Sequence, residues 1–143
     1  MNDPLQRASV TLLIHGDDLV PEELSAFLGV PPKTGVRKGE TFMNRGRPGT
    51  TVTARTGMWH LGTGCLEPPH IDQQIADLLG SLPEGADIWN DLATRFDCYV
   101  TVGAWFMDDS WTGGLVLEPK TLGMLAERGL AIDFDMYAPG ASD

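Results

Sequence analysis

The sequence predicts an α+β fold in which a largely antiparallel sheet carries helices on one of its faces. Apolar and polar residues alternate with strand periodicity over residues 9–15, 97–107 and 131–137, while apolar residues recur at helical spacing over 71–82 and 88–96. The predicted order is strand, helix, strand pair, two helices, strand pair, helix, strand. A chain of 143 residues supports one such domain, because a chain of this size buries roughly 70% of its unfolded surface.

The first predicted strand and helix follow from residues 9–29. Val10, Leu12 and Ile14 fall on one side of the strand, which ends before a Gly-Asp-Asp turn. A helix then begins at Pro21, whose fixed φ suits a first helical turn, and ends before Gly29. This predicts a strand with one buried face, followed by a short helix.

Residues 33–55 contain most of the positive charge of the chain. Six of the ten basic residues fall in this basic window, and its single acid is Glu40. The window carries 6 − 1 = +5, and the remainder carries 4 − 19 = −15, which together give the net charge of −10. Glycine and proline predict that most of the window is an exposed loop, with a short strand around Thr41–Met43.

The remaining elements complete the sheet and its helical layer. A long strand is predicted from Thr50 to Leu61, ending at the Gly62–Gly64 turn, and a short one at Gly114–Leu117. A helix is predicted at Pro119–Arg128 and a final strand at Ala131–Tyr137. In that strand the core-facing residues Ile132, Phe134 and Met136 alternate with the solvent-facing residues Asp133 and Asp135. Residues 9–138 are predicted to form one domain with flexible ends at 1–8 and 139–143.

Two segments suggest an internal repeat. Leu19-x-Pro21-x-x-Leu24 with a stop at Gly29 recurs as Leu117-x-Pro119-x-x-Leu122 with a stop at Gly129. Proline in a first helical turn and glycine after a helix are also general habits of helices. The sequence therefore leaves two explanations of the match open, a real duplication and a coincidence.

Several short motifs, taken in order, resemble those of the bacterial domain of unknown function family 4279. The motifs are Gly16-Asp17-Asp18-Leu19, Pro21-x-x-Leu24, Leu28-Gly29, Lys38-Gly39-Glu40, Gly57-x-Trp59 and Asp133-Phe134-Asp135-x-Tyr137. The resemblance spans nearly the whole chain. It implies a small bacterial single-domain protein, and it implies no catalytic residue because the family has no assigned activity.

Composition narrows the classes of function. The first residues lack the charged and apolar regions of a secretory signal, and no apolar run is long enough to cross a bilayer. Two cysteines, Cys65 and Cys98, are too few for a disulfide scaffold, so a cytoplasmic location is expected. The net charge of −10 disfavours nucleic acid and anionic membranes as partners.

The titratable residues give no pattern typical of an enzyme. Cys65 lies near His60 and His70 in sequence, but an isolated thiol and histidine are more often coincidental than catalytic. Gly62-x-Gly64 is too short for a dinucleotide fingerprint. The pairs at Asp17–Asp18 and Asp108–Asp109 could meet as oxygen ligands for Mg²⁺ or Ca²⁺, although turn formation is the simpler reading. We expect no catalytic residue, no metal and no cofactor.

Two candidate binding surfaces remain. One is the basic window, which could attract an anion or fold back onto the acidic surface. The other is a set of aromatic residues edged by charges, which would form an interface if it lies on the helix-free side of the sheet, unless loops cover it. The candidate site residues are Arg37, Lys38, Glu40, Arg45, Arg47, Arg55, Trp59, Tyr99, Trp105, Asp133 and Asp135.

Two functions are compatible with these surfaces. The first is a non-catalytic module, of an immunity or regulatory type, that recognises a protein partner or itself. The second is a small-molecule site, enzymatic or not, in which the basic window closes over an anionic ligand. A flat exposed patch would favour the module, and a concave pocket of several hundred Å³ would favour the ligand site.

Overall fold

The structure, a computed structural model, describes residues 5–44, 46–107 and 114–138. A five-stranded sheet has the order β2-β5-β1-β6-β7, and a separate two-stranded hairpin pairs β3 with β4. The strands are β1 Leu5–Gly16, β2 Thr34–Val36, β3 Thr41–Met43, β4 Thr51–Thr53, β5 Gly57–Leu66, β6 Asp97–Phe106 and β7 Ala131–Tyr137. The helices are α1 Pro21–Leu28, α2 Ile71–Gly80, α3 Ala86–Arg95 and α4 Pro119–Glu127.

The central strand β1 organises the sheet because it pairs antiparallel with β5 on one side and with β6 on the other. Val10, Leu12 and Ile14 are fully buried on one face, as their alternation predicts. β1 begins at Leu5, four residues before the predicted start, and residues 1–4 and 139–143 lie outside the described residues. β7 pairs parallel with β6, and the other pairings within the sheet are antiparallel.

All four helices contribute to a single apolar core against this face. Trp89 and Leu92 of α3, and Ile75 and Leu79 of α2, are almost completely buried beside the β1 residues. α1 and α4 each begin with proline and are followed by a glycine with positive φ, Gly29 and Gly129. The predicted α+β fold with a mostly antiparallel sheet is confirmed, whereas the internal repeat stays a prediction.

β5 continues through the segment that was predicted to end it. Ser9 pairs with Cys65 and Thr11 with Gly62, so the single residue Val10 lies opposite both Thr63 and Gly64. Gly64 has φ +74°, the left-handed conformation of a β-bulge. The glycines therefore bend the strand without terminating it, and the extra residue places Cys65 opposite Ser9.

Two other predicted strands differ from the structure. The strand predicted from Thr50 to Leu61 is divided into two. Its first part is β4, which pairs with β3 in the hairpin as far as Ala54, and its second part joins the main sheet only at Gly57. The strand predicted at Gly114–Leu117 is absent, although Leu115 and Leu117 pack against the core. The alternation of apolar residues in this segment therefore reflects their packing against the core. The segment does not join the sheet beside β6, because β7 occupies that position.

Met136 was predicted to be a core-facing residue, and it lies on the helix-covered face as predicted, because it pairs with the buried Ala104. It is nevertheless not buried: Met136 is 58% exposed, although Ile132 and Phe134 on the same strand pack against the core. β7 is the edge strand, and Met136 lies near its end. The helical layer therefore shields the beginning of β7 more completely than its end.

Candidate functional site

None of the four described helices packs on the face of the sheet opposite the core, and this face is called the helix-free face. Residues opposite one another in a ladder share a face, and the register places Thr11, Gly62 and Thr101 in one row across this face. By the same register Tyr99, Trp105, Asp133 and Asp135 lie on the helix-free face. The structure therefore brings these four candidate residues to one surface.

The hairpin β3–β4 lies over part of the helix-free face and encloses a groove of about 770 Å³. We call this space the hairpin groove. Its described lining residues are Ser9, Thr11, Lys33, Thr34, Phe42, Met43, Asn44, Gly46, Met58, His60, Gly62, Gly64, Cys65 and Trp105. Its volume falls within the usual range of ligand sites. The basic window therefore forms one wall of a concave site.

The floor of the hairpin groove lies close to the sheet backbone, because glycine occupies two positions beneath it, Gly62 and Gly103. A Cβ at Gly62 would lie 2.9 Å from Thr11 Oγ1, and a Cβ at Gly103 would lie 2.9 Å from Ser9 Oγ. Such distances are too short for real contacts, so larger residues would push the hydroxyl side chains away. Ser9 and Thr11 therefore lean over glycines and leave a shallow polar floor.

Aromatic stacking forms one wall of the hairpin groove. The rings of Trp105 and Tyr137 stack with centroids 4.8 Å apart and an interplanar angle of 13°. The guanidinium of Arg7 lies 4.7 Å from the Trp105 ring, in cation–π contact. Trp105 Nε1 is buried without a hydrogen-bond acceptor among the described residues. The stack holds Trp105 in place at the border of the groove.

A histidine pair lies at the end of the helix-free face near Asp97. His15 Nε2 and His60 Nε2 are 2.7 Å apart, and the edge of the Tyr99 ring meets His15 at a centroid distance of 5.9 Å. Burial lowers the pKa of His15, and the charge of Asp97 opposes that shift. Because only one hydrogen fits between the two nitrogens, the contact cannot hold two imidazolium ions.

Burial also raises the pKa of Tyr99, and the carboxylates of Asp97, Asp133 and Asp135 raise it further. These three aspartates pair in register with residues of β1 or β6 on the helix-free face. Tyr99 therefore remains a neutral hydroxyl at physiological pH. This side of the face is acidic, in contrast to the hairpin.

The two cysteine thiols differ in environment. Cys65 is exposed and lines the hairpin groove, because the bulge at Gly64 turns it toward that face. Burial raises the pKa of Cys98 to about 11, with a smaller contribution from Asp97. Of the two histidines near Cys65 in sequence, His60 bonds to His15, and His70 directly precedes α2.

The placement of Trp59 on the helix-free face is wrong. Trp59 pairs with Ile14, is fully buried in the core, and donates a hydrogen bond from Nε1 to Ser25 Oγ at 3.1 Å. Residues 57–61 contain apolar side chains in both alternating sets, so the sequence does not say which set faces the helices. Trp59 stabilises the fold at a site that no partner can reach without unfolding.

Part of the basic window folds back onto the acidic surface. Arg37 pairs with Glu22 at 3.3 Å, and Lys38 pairs with Asp17 at 3.2 Å. Glu40 accepts a hydrogen bond from the backbone N–H of Arg37 at 2.8 Å. Hydrogen bonds from Thr56 and Lys38 hold the pKa of Asp17 below its usual value. These candidate residues therefore secure the base of the hairpin and do not line the groove.

Other basic residues of the window have different positions. Arg47 lies exposed in the hairpin turn and Arg55 lies exposed beside β5, while Arg45 lies outside the described residues. Lys33 lines the hairpin groove, and its backbone N–H bonds to the carbonyl of His60 at 2.7 Å. Sequence reasoning noted Lys33 as part of the window but missed it as a site residue.

Two groove residues, His60 and Cys65, were considered from the sequence as a catalytic pair but not as binding residues. The groove residues that the sequence analysis missed are Ser9, Thr11, Thr34, Phe42, Met43, Asn44, Gly46, Met58, Gly62 and Gly64. Alternation in residues 9–15 already separates Ser9 and Thr11 from the core-facing set, which is one signal that could have found them. The hairpin residues gave no comparable signal, because their contact with the sheet is distant in sequence.

No group of three metal-ligating side chains is present among the residues that the structure describes. Asp17 binds Lys38, and Asp108 and Asp109 lie outside those residues, so the proposed acidic pairs are not seen together. None of the helices in the described part of the chain has the length and apolarity that a membrane crossing requires.

Comparison with known proteins identifies the family of the chain. The model of the domain of unknown function family DUF4279 matches residues 6–139. No curated protein and no solved structure gives a significant match. Because the matched region includes every described strand and helix apart from the first residue of β1, the chain belongs to the domain of unknown function family 4279.

Proposed function

We propose that this chain is a non-catalytic binding protein whose hairpin groove recognises a partner protein. The observation that carries the proposal is the lining of the groove, a space of about 770 Å³ between the β3–β4 hairpin and the helix-free face. A concave space of this size also suits a small ligand, but Lys33 is the one lysine or arginine among its described lining residues, so no set of cations converges there on a small anion. Aromatic and methionine side chains line it together with hydroxyl groups, a composition favoured at recognition sites. An immunity or regulatory role in the bacterial cytoplasm suits a binding protein of this size.

The charge distribution supports recognition through the hairpin side. Arg47 and Lys33 project from a basic window of +5 on a body of −15. Opposite charges on a partner would be steered toward this side, while the acidic body would repel other polyanions. The free thiols Cys65 and Cys98 fit a reducing compartment, which supports the cytoplasmic location.

The groove residues favour binding over covalent chemistry. A thiol nucleophile requires a base within hydrogen-bonding reach, and the His60 imidazole is already bonded to His15. His60 and Cys65 are five positions apart along β5, a separation of roughly 15 Å in an extended strand. The Cys65 thiol and the His60 imidazole are therefore not arranged as a nucleophile and its base.

A second candidate function is the enclosure of a small anionic ligand. Concavity favours it, since a flat patch would have been the simpler surface for a protein partner. Among the groove residues that the structure describes, Lys33 is the cation placed to meet such a ligand. Native mass spectrometry of the gently purified protein tests this candidate, because a retained small anion would add a discrete mass.

The main proposal can be tested with a photo-cross-linker attached to Cys65. A benzophenone maleimide should label Cys65 selectively near neutral pH, because the pKa of the Cys98 thiol is about 11 and little thiolate is present there. Irradiation in a lysate of the source bacterium should then link the chain to one dominant protein, which mass spectrometry would identify. Unlabelled chain in excess should compete for it.

The matched control moves the same probe to the opposite side of the sheet. The double variant Cys65→Ser, Ala126→Cys carries the thiol on the exposed surface of α4. The groove probe should give the cross-link and the α4 probe should not. Equal cross-linking from both positions, or cross-linking from α4 alone, would show that the groove is not the recognition site.

A further inference from the structure

The free edge of β3 faces the hairpin groove. Three consecutive residues, Phe42, Met43 and Asn44, line it. Successive strand side chains point to opposite faces, so a space that meets three residues in a row meets the edge of the strand as well as one face. The groove is therefore bordered by backbone groups in addition to side chains.

The hydrogen bonding of the hairpin shows which backbone groups point toward this edge. Glu40 O accepts a bond from Ala54 N–H at 2.7 Å, and Asn44 N–H donates to Thr50 O at 3.0 Å. Residues in an antiparallel ladder alternate between bonding to the partner strand and pointing away from it. Thr41 and Met43 therefore direct their N–H and C=O groups away from β4, to an edge that carries no third strand among the described residues.

Charge at the hairpin groove is positive. Lys33 is the one lysine or arginine among the described lining residues, and none of those residues is an aspartate or glutamate. Arg47 follows the lining residue Gly46 in the hairpin turn, and no ion pair of Lys33 or Arg47 occurs within the described part of the chain. Arg37 and Lys38, by contrast, are paired with acids outside the groove.

From these observations we infer that the occupant of the hairpin groove is an extended acidic segment of the partner protein, added as a strand to the free edge of β3. Main-chain hydrogen bonds to Thr41 and Met43 provide affinity, as in other strand-addition complexes. Carboxylates of the segment meet Lys33 and Arg47, and the low floor at Gly62 leaves room for alternate side chains. This inference rests on the proposed function, because it assigns the chemistry of the same groove.

Three fluorescein-labelled decapeptides test the charge requirement by fluorescence anisotropy. One alternates glutamate with threonine, the second glutamine with threonine, and the third lysine with threonine. The acidic peptide should bind most tightly, and its affinity should fall as salt is added. The double variant Lys33→Gln, Arg47→Gln should weaken its binding by about tenfold. The control Lys120→Gln, on the exposed side of α4, should leave it unchanged.

Backbone methylation of the acidic peptide tests strand addition without altering the protein. Methyl groups on alternate peptide nitrogens remove the donors that face one side of an extended strand. One methylation phase should abolish binding because it removes the donors facing β3, whereas the other phase should be tolerated. Equal effects of the two phases would overturn strand addition.

Cross-linking separates failure of this inference from failure of the proposed function. If the neutral peptide binds as tightly as the acidic one, or none of the peptides binds at millimolar concentration, the acidic segment is wrong. The proposal that the groove recognises a protein would still hold if the Cys65 probe continued to link the cellular partner. If the Cys65 probe links neither peptide nor partner, both proposals fail.

Discussion

The two faces of the sheet use the same strands for different purposes. On the covered face, Val10, Leu12 and Ile14 pack against helices and are fully buried. On the helix-free face, Ser9, Thr11 and His15 of the same strand form the floor of a groove and a hydrogen-bonded histidine pair. The comparison teaches that one strand can supply both the stability of the domain and its recognition surface, because its side chains alternate.

Two tryptophans provide the sharpest test of this division. Trp59→Ala should destabilise the domain by about 3 to 5 kcal/mol, because it removes a fully buried ring and leaves a cavity. Trp105→Ala should cost less, because the ring is only half-buried: its stack with Tyr137 contributes about 1 kcal/mol in addition to the apolar area it buries. Urea denaturation measures both values. Equal losses would show that the helix-free face is as important to stability as the core.

Gln74 tests a polar residue within the covered side. Its amide donates to Ala8 O at 2.9 Å and to Thr63 Oγ1 at 3.2 Å, and its carbonyl accepts from the backbone of His70. Gln74→Met should cost about 1 to 3 kcal/mol, since the buried partners lose their hydrogen bonds. Gln73→Met on the exposed side of α2 is the matched control and should change the free energy of unfolding little. A neutral Gln74→Met would mean that water replaces the amide.

The histidine pair on the helix-free face should make the stability of the domain depend on pH. Because the pKa of folded His15 is lowered from 6.5, the unfolded chain binds more protons between the two values. The contribution of His15 to stability is therefore present above about pH 6.5 and is lost as the pH falls through the folded pKa. His15→Gln should flatten the dependence of Tm on pH between about 5 and 7. His70→Gln, at an exposed position, should retain the wild-type slope.

The smallest effect is expected at the base of the hairpin. Lys38→Gln should leave the melting temperature nearly unchanged, because its pair with Asp17 is solvent-exposed. The pKa of Asp17 should rise toward its usual value, since Lys38 is one of the groups that lower it. An NMR titration of the Asp17 carboxyl carbon measures the shift, and Lys120→Gln serves as the control. A large loss of stability would mean that the ion pair positions the hairpin.

The aromatic candidates explain why sequence reasoning placed some site residues correctly and others not. The alternation of β6 placed Tyr99 and Trp105 together, and the structure agrees. Trp59 was misplaced because β5 has apolar side chains in both of its alternating sets, with Met58 in one set and Trp59 and Leu61 in the other. The bulge at Gly64 added a second error, since a glycine pair in a strand resembles the turn that would end it.

The sequence by itself determined the layers of this protein. Local periodicity and the proline and glycine boundaries of α1 and α4 encode which residues are helical, which are extended and which face is apolar. The tertiary structure decided where the hairpin lies and hence that a groove exists, because its walls come from residues as far apart as Ser9, Phe42 and Trp105. Local sequence cannot specify such a contact, which depends on long-range packing and on how the charges of the basic window divide between acidic neighbours and solvent.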